Sequence, residues 1–205
     1  MSDWPESMRE SVMYVDRKSL EKGASLPQGF LPEANEWYER ILSIHAYAPR
    51  FELEEDPTRK QPIPYVVVYG KNGIFCLARK SSQGEARLHG KLSIGVGGHI
   101  SEDSECGEID AIRAGMWREL HEELHINDGK IVSFWGLLND DSNEVGRVHV
   151  GLVFGINVLD DHVSVKETDK MEGFWASYEE LVSQSARLES WSQLILPHLN
   201  ERMGA

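Results

Sequence analysis

The stretch Arg118-Glu119-Leu120-His121-Glu122-Glu123-Leu124 constrains this chain more than any other, because one helix must satisfy two demands there. The surrounding pattern predicts a helix from about Ile109 to Leu124, with Ile109, Met116, Leu120 and Leu124 as its apolar stripe and Trp117 at the edge. At about 100° per residue, Glu119, Glu122 and Glu123 gather on another side. One face is therefore anchored in a core, and the next carries three carboxylates. Like charges this close repel unless a cation neutralises them. Oxygen ligands gathered without cysteine favour a hard divalent ion, Mg²⁺ or Mn²⁺. The crowding continues upstream, where Glu102, Asp103, Glu105, Glu108 and Asp110 join the three glutamates against only Arg113 and Arg118. Nearly half of the net charge of −13 lies in this stretch.

Elsewhere the pattern is that of an α/β protein. Tyr65 to Tyr69 and Ile74 to Ala78 read as two strands joined by a tight turn carrying Asn72-Gly73. A third strand is predicted over Lys91 to Val96, ended by Gly97-Gly98, with further strands at Ile131 to Leu138, Val148 to Val158 and Phe174 to Ala176. Asn139 to Gly146 reads as a polar link. Ser177 and Glu180 have the form of a capping box, and a last helix near Ser190 to Leu199 is expected to bend at Pro197. Strands, a helix, more strands and C-terminal helices predict a mixed sheet with helices on both faces. Residues 1–60 differ, since five prolines punctuate them and only Glu33 to His45 has the apolar spacing of a helix. With few apolar residues of its own, this stretch is expected to be an extension packed on a main domain spanning 61–205.

A chain of 205 residues suits one elaborated domain. Its acidity argues against a surface for long nucleic acids, while a small anion could still bind through metal ions. No apolar run is long enough to span a membrane, and Met1 to Glu10 has no signal-peptide pattern, so a cytoplasmic protein is expected. Cys76 and Cys106 are too few for a disulfide framework and are expected to be free thiols.

A glutamate-rich helix face alone is usually just a solvated surface. What distinguishes this one is the strand ending in Gly97-Gly98-His99-Ile100, which leads through a loop into it. With that context the sequence resembles the Nudix hydrolases, the MutT-like phosphohydrolases. Their motif is a glycine, five residues, Glu, seven residues, then Arg-Glu-aliphatic-any-Glu-Glu-any-Gly-aliphatic. Arg118 to Ile126 matches its second half, with His125 in the place of the glycine, and Asp110 stands where the first glutamate belongs. Gly98 aligns with the opening glycine if the loop carries six extra residues. His125 removes the glycine that ends the helix in a left-handed turn, and Asn127-Asp128-Gly129 offers a later stop, so the helix is expected to run on.

The resemblance implies a Nudix-type α/β/α sandwich and a Mg²⁺- or Mn²⁺-dependent hydrolase that cleaves a diphosphate linkage in a nucleoside diphosphate derivative or similar small molecule. It also implies that Glu119, Glu122 and Glu123 hold the metal, with the backbone carbonyl of Gly97 as a further ligand and Arg118 orienting a neighbouring carboxylate. The proton of the attacking water would go to Glu119 or to an acid of the loop before Trp175, where Glu167 is preferred over Asp169 and Glu172. Arg79-Lys80 and Lys91 are candidates for substrate phosphates, and a homodimer is one use for the N-terminal residues. His99, His121 and His125 are not assigned as ligands, because one hard-metal site explains the region without imidazoles. Trp135, Tyr65 and Phe174 could stack on a base, although aromatic residues in strands are ordinarily core. A noncatalytic ligand-sensing module is the alternative. An isoprenoid-diphosphate isomerase is weaker, since neither cysteine lies in the motif that chemistry would require.

Overall fold

The computed structural model describes residues 4–79, 91–104, 107, 109–126, 131–160 and 162–204. Of the positions singled out above, Lys80, Glu105, Cys106, Glu108 and Asn127-Asp128-Gly129 lie outside the described residues. The N-terminal elements are helix α1 (Glu6–Arg9), strand β1 (Ser11–Asp16), α2 (Arg17–Leu20), β2 (Gly29–Pro32), α3 (Asn35–Ile44) and β3 (Ala46–Pro49). Then come β4 (Arg59–Gly70), β5 (Gly73–Arg79), β6 (Leu92–Ser93), β7 (Val96–Gly97), α4 (Ala111–Glu123), β8 (Leu124–Ile126) and β9 (Ile131–Asn139). The chain ends with α5 (Glu144–Val148), β10 (His149–Asn157), β11 (Val163–Val165), β12 (Met171–Ala176), α6 (Tyr178–Ser183), α7 (Ser190–Ile195) and α8 (Leu199–Met203).

The result is an α/β fold with a large mixed sheet flanked by helices, in the strand order β12-β5-β4-β10-β9-β2. Strands β4 and β10 are buried along nearly their whole length, as unbroken apolar runs covered on both faces should be. No helix among the described residues is long and apolar enough to cross a membrane.

Two compact units divide the chain, and β4, β9, β10 and α4 contribute residues to both. The first comprises residues 1–64, 97–118 and 136–152. In it β1 pairs antiparallel with β3 and, through Val15↔Lys60 and Asp16↔Arg59, with β4, while β2 pairs with the end of β9. Sequence periodicity finds α3 but misses these N-terminal strands, which are only four to six residues long and are stabilised by partners distant in sequence. Lys60 is fully buried here, its ammonium donating to Asn139 Oδ1 at 2.8 Å, Asp141 Oδ1 at 2.7 Å and the Gly146 carbonyl at 2.7 Å.

The second unit comprises residues 65–96, 119–135 and 153–205. The β4–β5 hairpin forms as expected, with Gly73 at φ +106°, where an added Cβ would lie 2.2 Å from the Ala176 carbonyl oxygen. Strand β12 runs beside β5 in the register Met171↔Arg79 to Ala176↔Ile74. Ser177 and Glu180 close the predicted capping box on α6, and the C-terminal helical run breaks into α7, a 3-10 turn carrying Pro197, and α8.

Several local expectations are corrected. The strand predicted over residues 91–96 is two short pieces, β6 and β7, and the polar link at 139–146 runs into α5, whose N-cap Asn143 accepts from the Gly146 amide. Ile109 stands outside α4 and is 40% exposed, so the buried stripe of the helix is Ile112, Met116 and Leu120. The reason is Asp110. Its Oδ1 accepts the Arg113 amide at 3.0 Å and its carbonyl accepts the Ala114 amide at 2.9 Å, which makes it the N-cap and starts the helix at Ala111, two residues later than expected. The helix also stops early, at Glu123. His125 does not need the left-handed turn of a glycine, because Leu124 to Ile126 go directly into β8, where His125 lies opposite Ser164 of β11. Strand pairing takes over the backbone groups that a longer helix would have used.

Tyr38 of α3 adds a second bond to the cap, donating its hydroxyl to Asp110 Oδ1 at 2.9 Å. Asp110→Ala should therefore cost about 0.5–2 kcal/mol in urea denaturation, and Asp110→Asn, which keeps an accepting oxygen, should cost much less.

Candidate active site

The residues that carry the acidic motif lie in the second unit, at the C-terminal end of α4. Burial of Leu120 and Leu124 fixes the rotation of this segment. Glu123 is consequently half-buried, and its carboxyl is pushed up to about 7. Desolvation is the main cause; the charges of Glu119, Glu167 and Glu122 act in the same direction, while the Arg79 guanidinium opposes them. Three carboxylates and one arginine from the sequence reading thus act electrostatically on Glu123.

Glu167 arrives from a different part of the chain. Pairing of β11 with β8 brings the following residues alongside the end of α4, where the Lys166 amide donates to the Glu123 carbonyl at 2.8 Å and the Lys166 ammonium to the His121 carbonyl. The Glu167 carbonyl then accepts the amides of Lys170 and Met171, both at 3.0 Å, and its side chain pairs with Lys170 Nζ at 2.5 Å. This turn holds Glu167 beside the helix terminus. Asp169 and Glu172 have no comparable tie to Glu123 among the described contacts.

Arg79 closes β5, opposite Met171 of β12. Lys91 donates to the Ala186 carbonyl at 3.1 Å. Cys76 is buried and its thiol is pushed up to about 12 by desolvation, which suits a core position and not a nucleophile. Tyr65 and Trp135 are buried as core aromatics, Tyr65 in a polar network with Ser192 at 2.8 Å and Glu189 at 2.9 Å, and Phe174 lies in β12 opposite Cys76.

Gly97 and Arg118 belong to the first unit. Gly97 ends β7 so close to β4 that an added Cβ would lie 2.5 Å from the Pro64 carbonyl oxygen, so no other residue fits without moving the strand. The Arg118 guanidinium donates from Nη2 to the His99 carbonyl at 2.6 Å and so ties the segment after Gly97-Gly98 to the helix. The first unit also contains a group that sequence reasoning passed over, Glu54, His99 and His149, whose ligand-type atoms lie within 4.8 Å of one another. These residues are remote in sequence, and no local spacing connects them.

The donor set around Glu123 fits a hard divalent cation. Among the described residues acting on Glu123 it is made of carboxylate oxygens, whose charges add to the desolvation that raises its pKa.

No protein-family model matches the chain. Protein YmaB of Bacillus subtilis strain 168 is 37% identical over 199 residues, a match covering 92% of this chain and 97% of that protein. Among solved structures, Tm1382, provisionally described as a Nudix hydrolase, is 29% identical with a TM-score of 0.79 and covers 93% of this chain and 98% of its own. The MutT Nudix hydrolase of Burkholderia pseudomallei shares the fold at 15% identity and a TM-score of 0.50, covering 67% of this chain and 96% of its own.

The raised pKa of Glu123 has a measurable sign. Between about 4.5 and 7 the metal-free folded protein binds more protons than the unfolded chain, so this group contributes a penalty that grows as pH rises and is complete above about 7. Glu123→Gln should therefore stabilise the metal-free protein at pH ~8 by about 1–3 kcal/mol in denaturant melts, and the gain should vanish near pH ~4.5.

Proposed function

The chain belongs to the Nudix hydrolase family, a group of hydrolases acting on phosphorus-containing anhydrides, and on that premise we propose that it cleaves the diphosphate linkage of a nucleoside diphosphate derivative with the help of Mg²⁺ or Mn²⁺. The observation that carries this reading is the convergence of Glu119, Glu122 and Glu167 on a half-buried Glu123. Such a cluster is costly for a protein that leaves it uncompensated.

In this reading Glu119, Glu122 and Glu123 hold the ion. When bound, a divalent ion neutralises diphosphate oxygens and makes water acidic enough to supply hydroxide near neutral pH. Glu167 accepts the proton from the attacking water. Its ion pair with Lys170 holds the carboxylate in place, and its position on a separate loop leaves it outside the ligand set. Glu119 is the alternative base if it is not committed to the ion. Arg79, already within the field of Glu123, meets the negative charge that develops on the phosphate oxygens, with Lys91 as a second basic candidate. Arg118, next in sequence to Glu119, is a positioning residue whose guanidinium is tied to the His99 carbonyl.

Glu122→Gln and Glu123→Gln should each lower kcat/KM by at least about 100-fold, more than loss of an outer-shell partner normally costs, with the fold intact by circular dichroism. The measurement is phosphate-ester product release across a panel of nucleotide sugars, dinucleoside polyphosphates and oxidised nucleotides, with and without chelator. Full activity in either variant would contradict the reading. Ligand binding without turnover by the wild-type protein, across the whole panel, would favour a noncatalytic sensor instead.

A further inference from the structure

We propose that Glu54, His99 and His149 form a second metal site, which takes a divalent d-block ion of the zinc type through two imidazole Nε2 atoms and one carboxylate oxygen. All three residues belong to the first unit, and none of their side chains has a part in the hydrolysis described above. The proposal does not depend on that reading.

Geometry is the first support. His99 Nε2 and His149 Nε2 are 3.2 Å apart, and a tetrahedral ion with ligands about 2.0–2.1 Å away separates its donors by roughly 3.3 Å. Glu54 Oε1 is 3.9 Å from His99 Nε2, a gap that a small rotation of the carboxylate closes. The second support is the orientation of His149. Its Nδ1 lies 2.7 Å from the Val145 carbonyl, which can only accept, so Nδ1 carries the proton and Nε2 presents its lone pair towards His99 and Glu54. An imidazole pinned by a carbonyl on its far nitrogen is the usual outer-shell arrangement of a metal ligand. The third is enclosure: His149 is 6% exposed and the His99 side chain 14%.

Charge selects the ion. Arg50 Nε donates to Glu54 Oε1 at 2.5 Å and offsets the single negative charge of the group, while Arg118 and Lys60 are further positive neighbours of His99 and His149. A site with no excess of negative charge has little hold on Mg²⁺, which is bound through anionic oxygens. Zn²⁺ or Co²⁺, bound through imidazole nitrogen, keeps its affinity. One protein-free position remains in a tetrahedral arrangement of three ligands. An ion here would join three segments far apart in sequence, the residues after β3, the residues after β7 and the start of β10, and would act as a staple on the first unit.

The test uses full-length protein stripped with chelator and titrated with Co²⁺, then with Zn²⁺. The expected result is visible absorption of four-coordinate Co²⁺ that persists in saturating Mg²⁺ and in the E119Q/E122Q/E123Q variant, is displaced by Zn²⁺, and is lost in His99→Ala and His149→Ala. Zn²⁺ affinity in those two variants should fall at least about tenfold. Absence of the bands in the wild type, or bands that vanish in the glutamate variant and survive in His149→Ala, would overturn the proposal while leaving the hydrolase reading as it stands. If the histidine variants do not fold, ¹⁵N-histidine spectra of the wild type replace them: Zn²⁺ must shift the Nε2 resonances of two histidines together, and unchanged resonances would overturn it.

Discussion

Electrostatic crowding around Glu123 is the constraint to which the rest of this structure answers. A carboxyl raised from 4.5 to about 7 represents about 3 kcal/mol of unfavourable free energy for its ionised form at neutral pH. That is a large fraction of the stability of an ordinary domain. Desolvation is the largest part of it and the charges of three neighbouring glutamates add to it, with Arg79 opposing them. A doubly charged cation bound at the cluster would offset this cost.

The helix that carries the cluster is secured at both ends by tertiary structure. At its start Asp110 caps the first turn and is itself held by Tyr38, so α3 contributes to where α4 begins. At its end the chain passes straight into β8, and β11 pairs with it. That pairing sets the height of the loop that presents Glu167. The Lys166 amide, bonded to the Glu123 carbonyl, is the last link between backbone register and carboxylate position. The two departures from the family motif thus have local reasons: Asp110 serves as a helix cap, and His125 occupies a strand position.

Much of this was legible in the sequence because it is local. The three glutamates, the hairpin around Asn72-Gly73 and the capping box of Ser177 and Glu180 are all specified within a few residues. What escaped depends on partners distant in the chain. The short strands β1 to β3 have no persuasive period of their own. Lys60 sits inside an apolar strand and is accommodated only because Asn139, Asp141 and two backbone carbonyls surround its ammonium. Glu54, His99 and His149 are unremarkable one at a time and form a group only in three dimensions. The end of α4 is not legible in the sequence for a similar reason, since helical propensity gives way there to a strand partner nearly forty residues away.

The central claim is that the glutamate cluster exists to receive a cation, and proton release measures it most directly. Mn²⁺ titration calorimetry in buffers of different ionisation enthalpy reports the protons expelled on binding. With Glu123 raised to about 7, uptake at pH ~6.5 should release a substantial part of one proton, and the release should fade towards pH ~8.5 and disappear in Glu123→Gln. No Mn²⁺ uptake at neutral pH, or uptake with no pH-dependent proton release, would contradict the account.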